Sequence, residues 1–65
     1  MRILVNGAWR ETAGAELATV LAELGYGDAV VATAINGEFV AAPVRAQTPV
    51  ADGDRIDVLA PMQGG

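Results

Sequence analysis

Short apolar runs alternate with turn signals along most of this chain, and the period of the apolar positions changes twice. Met1 to Val5 is rich in β-formers and stops at Asn6-Gly7. Asn-Gly is a strong hairpin signal, because a type I′ turn needs positive φ at both central residues. A return strand over Ala8 to Glu11 follows, with Trp9 packing on one face. Leu17, Val20, Leu21 and Leu24 then recur at i, i+3, i+4 and i+7, which is one face of a helix. The pattern predicts a helix from about Ala13 to Leu24, with Thr12 as its N-cap. Ala15, Ala18 and Ala22 are strong helix formers. Glu16 falls in the first turn, where the helix dipole favours an anion. Gly25 follows the last periodic residue, where a C′ glycine belongs, and Gly25 to Asp28 reads as loop.

Strand patterning then resumes. Val30 to Ile35 is a third strand, Asn36-Gly37 repeats the hairpin signal, and Glu38 to Ala41 returns as a fourth. Ala42 to Val50 holds Pro43 and Pro49 and little pattern, so it reads as a surface crossing whose end, Val50, dips back into the core. Asp52-Gly53 is a turn, and Arg55 to Ala60 is the last strand, with Ile56, Val58 and Ala60 on one face and Leu59 on the other. Pro61 lacks an N–H and ends ladder pairing. The order ββαββ plus a final β is that of an α+β, β-grasp fold, a mixed sheet of about five strands wrapping one helix. That fold class places the last strand centrally, beside the first. The reading gives a domain over 1–60 and a flexible C-terminal tail over 61–65 ending in Gly-Gly.

Composition narrows the picture. At 65 residues one domain is the natural count. Hydrophobic residues make up 52%, but alanine supplies much of that, so the core is a modest one of Ile, Leu and Val. A domain of this size has a stability of about 3–5 kcal/mol from a single core. With no cysteine there is no disulfide to help, and with no histidine a structural zinc is not expected. Net charge is −4, and the cations Arg2, Arg10, Arg45 and Arg55 are scattered. Nucleic-acid binding draws on clustered cations, so nucleic acid is not an expected partner. An acidic surface suits a basic protein partner instead. No apolar run approaches the roughly 20 residues of a membrane span, and Asn6-Gly7 ends the opening run before a signal sequence could form. The expected location is the cytoplasm.

The chain lacks Cys, His, Lys and Ser, the usual nucleophiles and acid–base groups. Asp52 and Asp54 flank Gly53, but turn chemistry explains such a pair better than catalysis does. A calcium loop needs many more oxygen ligands. A catalytic site inside this domain is therefore not expected, and neither is a metal site. The remaining candidate is the terminus, Pro61-Met62-Gln63-Gly64-Gly65. Glycines lack a Cβ and can thread a channel too narrow for other residues. The Gly65 carboxylate is ionised at neutral pH. As an anion it can attack the α-phosphate of ATP, and a sulfur nucleophile can displace the resulting acyl-adenylate. Terminal residues are often frayed whether or not they work, which is the plain alternative. Leu4 and Leu59 are out of phase with the inward set Ile3, Val5, Ile56 and Val58. With Met62 they suggest an apolar docking patch on the open sheet face near the root of the tail, although single exposed leucines need no explanation.

These residues together resemble the ThiS family, the ubiquitin-like sulfur carriers of thiamin thiazole synthesis. The resemblance covers essentially the whole chain. It is carried by Met1-Arg2-Ile3-Leu4-Val5-Asn6-Gly7, by Ile35-Asn36-Gly37-Glu38-Phe39-Val40, by Asp52-Gly53-Asp54-Arg55-Ile56, and most specifically by the Pro61–Gly65 terminus. It implies that an adenylyltransferase related to ubiquitin-activating enzymes (ThiF type) adenylates the Gly65 carboxylate. A cysteine desulfurase system then supplies sulfur, and the thiocarboxylate donates it to thiazole synthase (ThiG type). ATP and magnesium belong to the activating partner. Many members carry a Pro-Arg pair and an aromatic residue after the second hairpin. Here Val44 separates Pro43 from Arg45, and no aromatic is present. The small subunit of molybdopterin synthase and a tRNA-thiolation carrier are the alternatives of the same chemistry. A non-carrier β-grasp interaction module is the alternative of another class, and a ubiquitin-like tag is a further one.

Overall fold

The computed structural model describes residues 1–60. The expected tail, 61–65, lies outside the described residues. The element order is β1 Arg2–Val5, β2 Ala8–Glu11, α1 Leu17–Glu23, β3 Ala32–Ile35, β4 Glu38–Val40, a 3-10 helix Ala42–Gln47, and β5 Arg55–Leu59. The sheet order is β2-β1-β5-β3-β4, with β5 central as the fold class requires. β5 runs parallel to β1 and antiparallel to β3, and both hairpins are antiparallel.

Both hairpin turns take the conformation that Asn-Gly predicts. Asn6 and Gly7 have φ of 49° and 84°, and Asn36 and Gly37 have 50° and 86°. Positive φ at both central residues is the type I′ signature. One face of the sheet supplies Ile3, Val5, Ile56, Val58 and Val40 to the core. Leu17, Val20 and Leu21 of α1 cover them, and Val50 joins from the crossing as expected.

The helix is shorter than its alanines suggest. It begins at Leu17 rather than Ala13, and Glu16 is its N-cap without a side-chain capping bond. Thr12 is buried and caps nothing, and no acidic residue lies in the first turn. The preceding segment is held elsewhere. The Glu23 carboxylate accepts hydrogen bonds from the N–H groups of Ala13 at 2.8 Å and Gly14 at 2.5 Å. Val50 N–H donates to the Ala15 carbonyl, and Leu17 N–H donates to the Thr48 carbonyl, each at 2.9 Å. Tertiary hydrogen bonds thus override local propensity, helped by the helix penalty of Gly14. The far end agrees with expectation. Gly25 has φ of 94°. Its N–H donates to the Ala22 carbonyl, and Tyr26 N–H donates to the Leu21 carbonyl, which is the Schellman motif.

Smaller differences have local causes. Val30 and Val31 precede β3 rather than joining it, and Val30 is exposed. Ala60 lies beyond β5 and is exposed rather than inward-facing. β2 is an exposed edge strand, and Trp9 packs under Arg2, whose guanidinium lies 4.8 Å from the ring centroid. The crossing is not patternless, because Pro43 sits in the first turn of the 3-10 helix. Arg45 ties that helix to the sheet. Its Nε donates to Thr33 Oγ1 at 2.9 Å and its Nη2 to the Val31 carbonyl at 2.6 Å. Inward bonding of this kind removes Arg45 from the open face.

Candidate functional site

The expected tail residues Pro61, Met62, Gln63, Gly64 and Gly65 lie outside the described residues. The described residues show how the chain is brought to them. β5 is the central strand, flanked by β1 and β3, and its last core residue is the buried Val58. Leu59 and Ala60 follow, both exposed. β3 pairs with β5 as far as Leu59, whereas the β1 ladder stops at Ile56.

The acidic turn before β5 is structural. Asp52 Oδ1 accepts the Arg2 N–H at 2.7 Å, and Asp54 Oδ2 accepts the Ala51 N–H at 2.8 Å. Asp54 Oδ1 also accepts from Asn36 Nδ2 at 3.1 Å. Both carboxylates serve the turn and the register of β5, as the turn reading of Asp-Gly-Asp expects. The described residues enclose no pocket.

Leu4 and Leu59 lie on the same open face but do not form one patch. Leu4 pairs with Trp9 on β2 and lies beside Arg55 on β5. Leu59 is four residues further along β5 than Arg55. At about 3.3 Å per residue the two leucines are roughly 13 Å apart along the sheet. Arg55 and Asp57 occupy the ground between, joined by an ion pair of 3.7 Å. Strand phase in the sequence gives the face of each leucine, but the offset between two strands is set by their register.

Phe39 is the apolar residue that the sequence reading leaves without a role. It is 73% exposed, and Leu59 is 67% exposed. Phe39 pairs with Ala34, and Leu59 pairs with Ala32, so two small side chains of β3 lie between the large ones. The result is a shallow apolar strip at the end of β5 from which the chain continues toward its terminus. A signal for Phe39 exists in the sequence, since it alternates with the inward Val40 immediately after a hairpin turn.

One helix held in the curve of a five-stranded mixed sheet with a parallel central pair defines the ubiquitin-like β-grasp class. The chain belongs to the ThiS family, whose sequence model matches residues 3–65. It is similar to the crystal structure of a thiamine biosynthesis protein (ThiS) from Geobacter metallireducens, with 32% identity and a TM-score of 0.83 over all of both chains. A solution structure of a thiamine biosynthesis protein from the same organism is 30% identical, with a TM-score of 0.77, over all of this chain and 88% of that one. The comparison with curated protein sequences gave no match. Among the described residues no helix is long and apolar enough to cross a membrane.

Proposed function

We propose that the chain is a sulfur carrier that works through the carboxylate of Gly65 in the synthesis of the thiazole of thiamin. The observation that carries this reading is the family match, which continues through residue 65 and so includes Gly64 and Gly65. Both similar structures are described as thiamine biosynthesis proteins, which favours thiazole as the destination over molybdopterin or tRNA. The absence of Cys, His, Lys and Ser supports the terminus as the chemical group.

The chemistry follows from the leaving group. A carboxylate is a poor acyl donor, because displacement would have to expel oxide. Attack of a Gly65 oxygen on the α-phosphorus of ATP forms an acyl-adenylate and releases pyrophosphate. A sulfur nucleophile at the oxidation level of sulfide then attacks the acyl carbon and releases AMP, leaving a thiocarboxylate. ATP and magnesium are held by the activating adenylyltransferase, and the sulfur comes from a cysteine desulfurase system. Thiazole synthase consumes the thiocarboxylate. The strip of Phe39, Ala34, Ala32 and Leu59 is the docking surface for these partners, because it lies on the face that α1 leaves open.

ATP–pyrophosphate exchange with the cognate adenylyltransferase tests the proposal. The wild-type chain should support exchange. A chain extended by one residue beyond Gly65 should not, since the carboxylate moves by up to about 3.6 Å and reaction geometry tolerates little misplacement. Equal exchange by the extended chain would contradict the assignment of Gly65.

A further inference from the structure

β1 ends too early to flank the whole of β5. Its parallel ladder pairs Leu4 with Arg55 and Val5 with Ile56 and stops there, because Asn6 and Gly7 turn the chain back into β2. Leu4 N–H donates to the Asp54 carbonyl at 2.9 Å, and Asn6 N–H donates to the Ile56 carbonyl at 3.0 Å. Asp54 and Ile56 thus present their carbonyls toward β1. Val58 is next in that row, and it faces a strand that has already turned away.

The side chain of Asn6 fills the place. Val58 N–H donates to Asn6 Oδ1 at 2.8 Å, and Asn6 Nδ2 donates to the Val58 carbonyl at 3.0 Å. A carboxamide carries the same donor and acceptor as a peptide group. Asn6 therefore adds one rung to the β1–β5 ladder beyond the end of β1. The other Asn-Gly turn has a counterpart at the opposite end of the strand. Asn36 Oδ1 accepts from Arg55 N–H at 3.0 Å, and its Nδ2 donates to Asp54 Oδ1 at 3.1 Å. Asn36 grips the start of β5, and Asn6 grips its end, close to Pro61 in sequence.

We propose that Asn6 is a positioning residue for the C-terminal carboxylate, because its two bonds to Val58 fix the point from which the chain leaves the sheet toward Gly65. The proposal rests on the carrier reading above. Without this rung, Val58 and Leu59 pair only with Thr33 and Ala32 of β3, on one side. The end of β5 then frays, and the last residue held on both sides moves back from Val58 to Ile56, which adds residues between the held strand and Gly65. A partner that takes the terminus into its active site must order those added residues, and each ordered residue has an entropic cost. Binding of the carrier weakens, while the reaction at the bound carboxylate is unchanged.

Two glycine variants separate positioning from stability. Asn6→Gly keeps the positive-φ turn, because glycine adopts that conformation freely, and removes the carboxamide. Asn36→Gly does the same at the other end of β5. Asn6→Asp keeps size and turn preference but sets an acceptor against the Val58 carbonyl, and it serves if Asn6→Gly fails to fold. Initial rates of pyrophosphate release are measured against carrier concentration, with the cognate adenylyltransferase, ATP and magnesium. Amide hydrogen exchange by NMR is measured on the same proteins. Asn6→Gly and Asn6→Asp should raise KM for the carrier by at least about tenfold with kcat unchanged, which is the cost of ordering about one more residue. In Asn6→Gly the Val58 amide should lose protection while the Ile56 amide keeps it; in Asn6→Asp, whose carboxylate still accepts the Val58 N–H, the effect is read in KM. Asn36→Gly should leave KM unchanged. Equal KM values for the Asn6 and Asn36 variants, or retained protection at Val58 in Asn6→Gly, would overturn the proposal while leaving the carrier reading intact. A wild-type chain that releases no pyrophosphate would overturn the carrier reading and this proposal with it.

Discussion

Thr12 has the one buried side-chain oxygen without a hydrogen-bond partner among the described residues. Its main chain is satisfied, since its N–H donates to the Met1 carbonyl at 2.9 Å and its carbonyl accepts from the Met1 amino group at 2.6 Å. The hydroxyl has no such bond, and an unpaired buried polar group costs about 1–3 kcal/mol. Thr12→Val exchanges that hydroxyl for a methyl of similar shape and should stabilise the fold. In a domain of this size each kcal/mol gained raises Tm by about 4–8 °C. A lower Tm in thermal unfolding followed by circular dichroism would show that the hydroxyl has a stabilising partner. Asn6 and Asn36 show what a sequence reveals about a single residue. Their positive φ is legible, because Asn-Gly states it locally. Their side-chain bonds to β5 are not, because Val58 lies 52 positions from Asn6 and Arg55 lies 19 from Asn36.

The strands were legible as elements, and the start of the helix was not. Alternating apolar positions and the two Asn-Gly turns are local signals, and β1 to β5 fall where they point. The segment from Ala13 to Glu16 reads as helix from its alanines, yet bonds to Glu23 and the Val50 region hold it out of the helix. Gly14→Ala distinguishes the two descriptions by sign. Were residue 14 in a helix, alanine there would stabilise by about 1 kcal/mol. In the structure an added Cβ would lie 2.7 Å from both Glu23 Oε1 and Thr19 Cγ2. The carboxylate must move and release the Ala13 and Gly14 N–H groups, so the variant should lose about 1–3 kcal/mol. Chemical denaturation measures it, and a stabilised variant would return residue 14 to the helix. The candidate site divides in the same way. Gly64-Gly65 is proposed as the chemical group from the sequence alone, since that reading needs no tertiary information. The face proposed for docking is legible only as a phase: Leu4 and Leu59 share a face, but register separates them and places Leu59 with Ala32 near Phe39 instead.

At the scale of the molecule, the described residues form one core cluster that spans Ile3 to Val58. Deleting Gly64 and Gly65 should therefore leave Tm unchanged, measured by calorimetry, and abolish sulfur loading. A large fall in Tm would mean that the terminal glycines belong to the folded core. The central claim is that Gly65 carries the sulfur, and intact-mass spectrometry with fragmentation tests it most directly. The chain is incubated with its cognate adenylyltransferase, ATP, magnesium and a sulfide-level sulfur source. The account predicts a mass gain of one oxygen-to-sulfur exchange, located at Gly65, dependent on ATP and absent when the chain is incubated without the enzyme. No mass change with an active cognate enzyme, or sulfur located at any other residue, would contradict it.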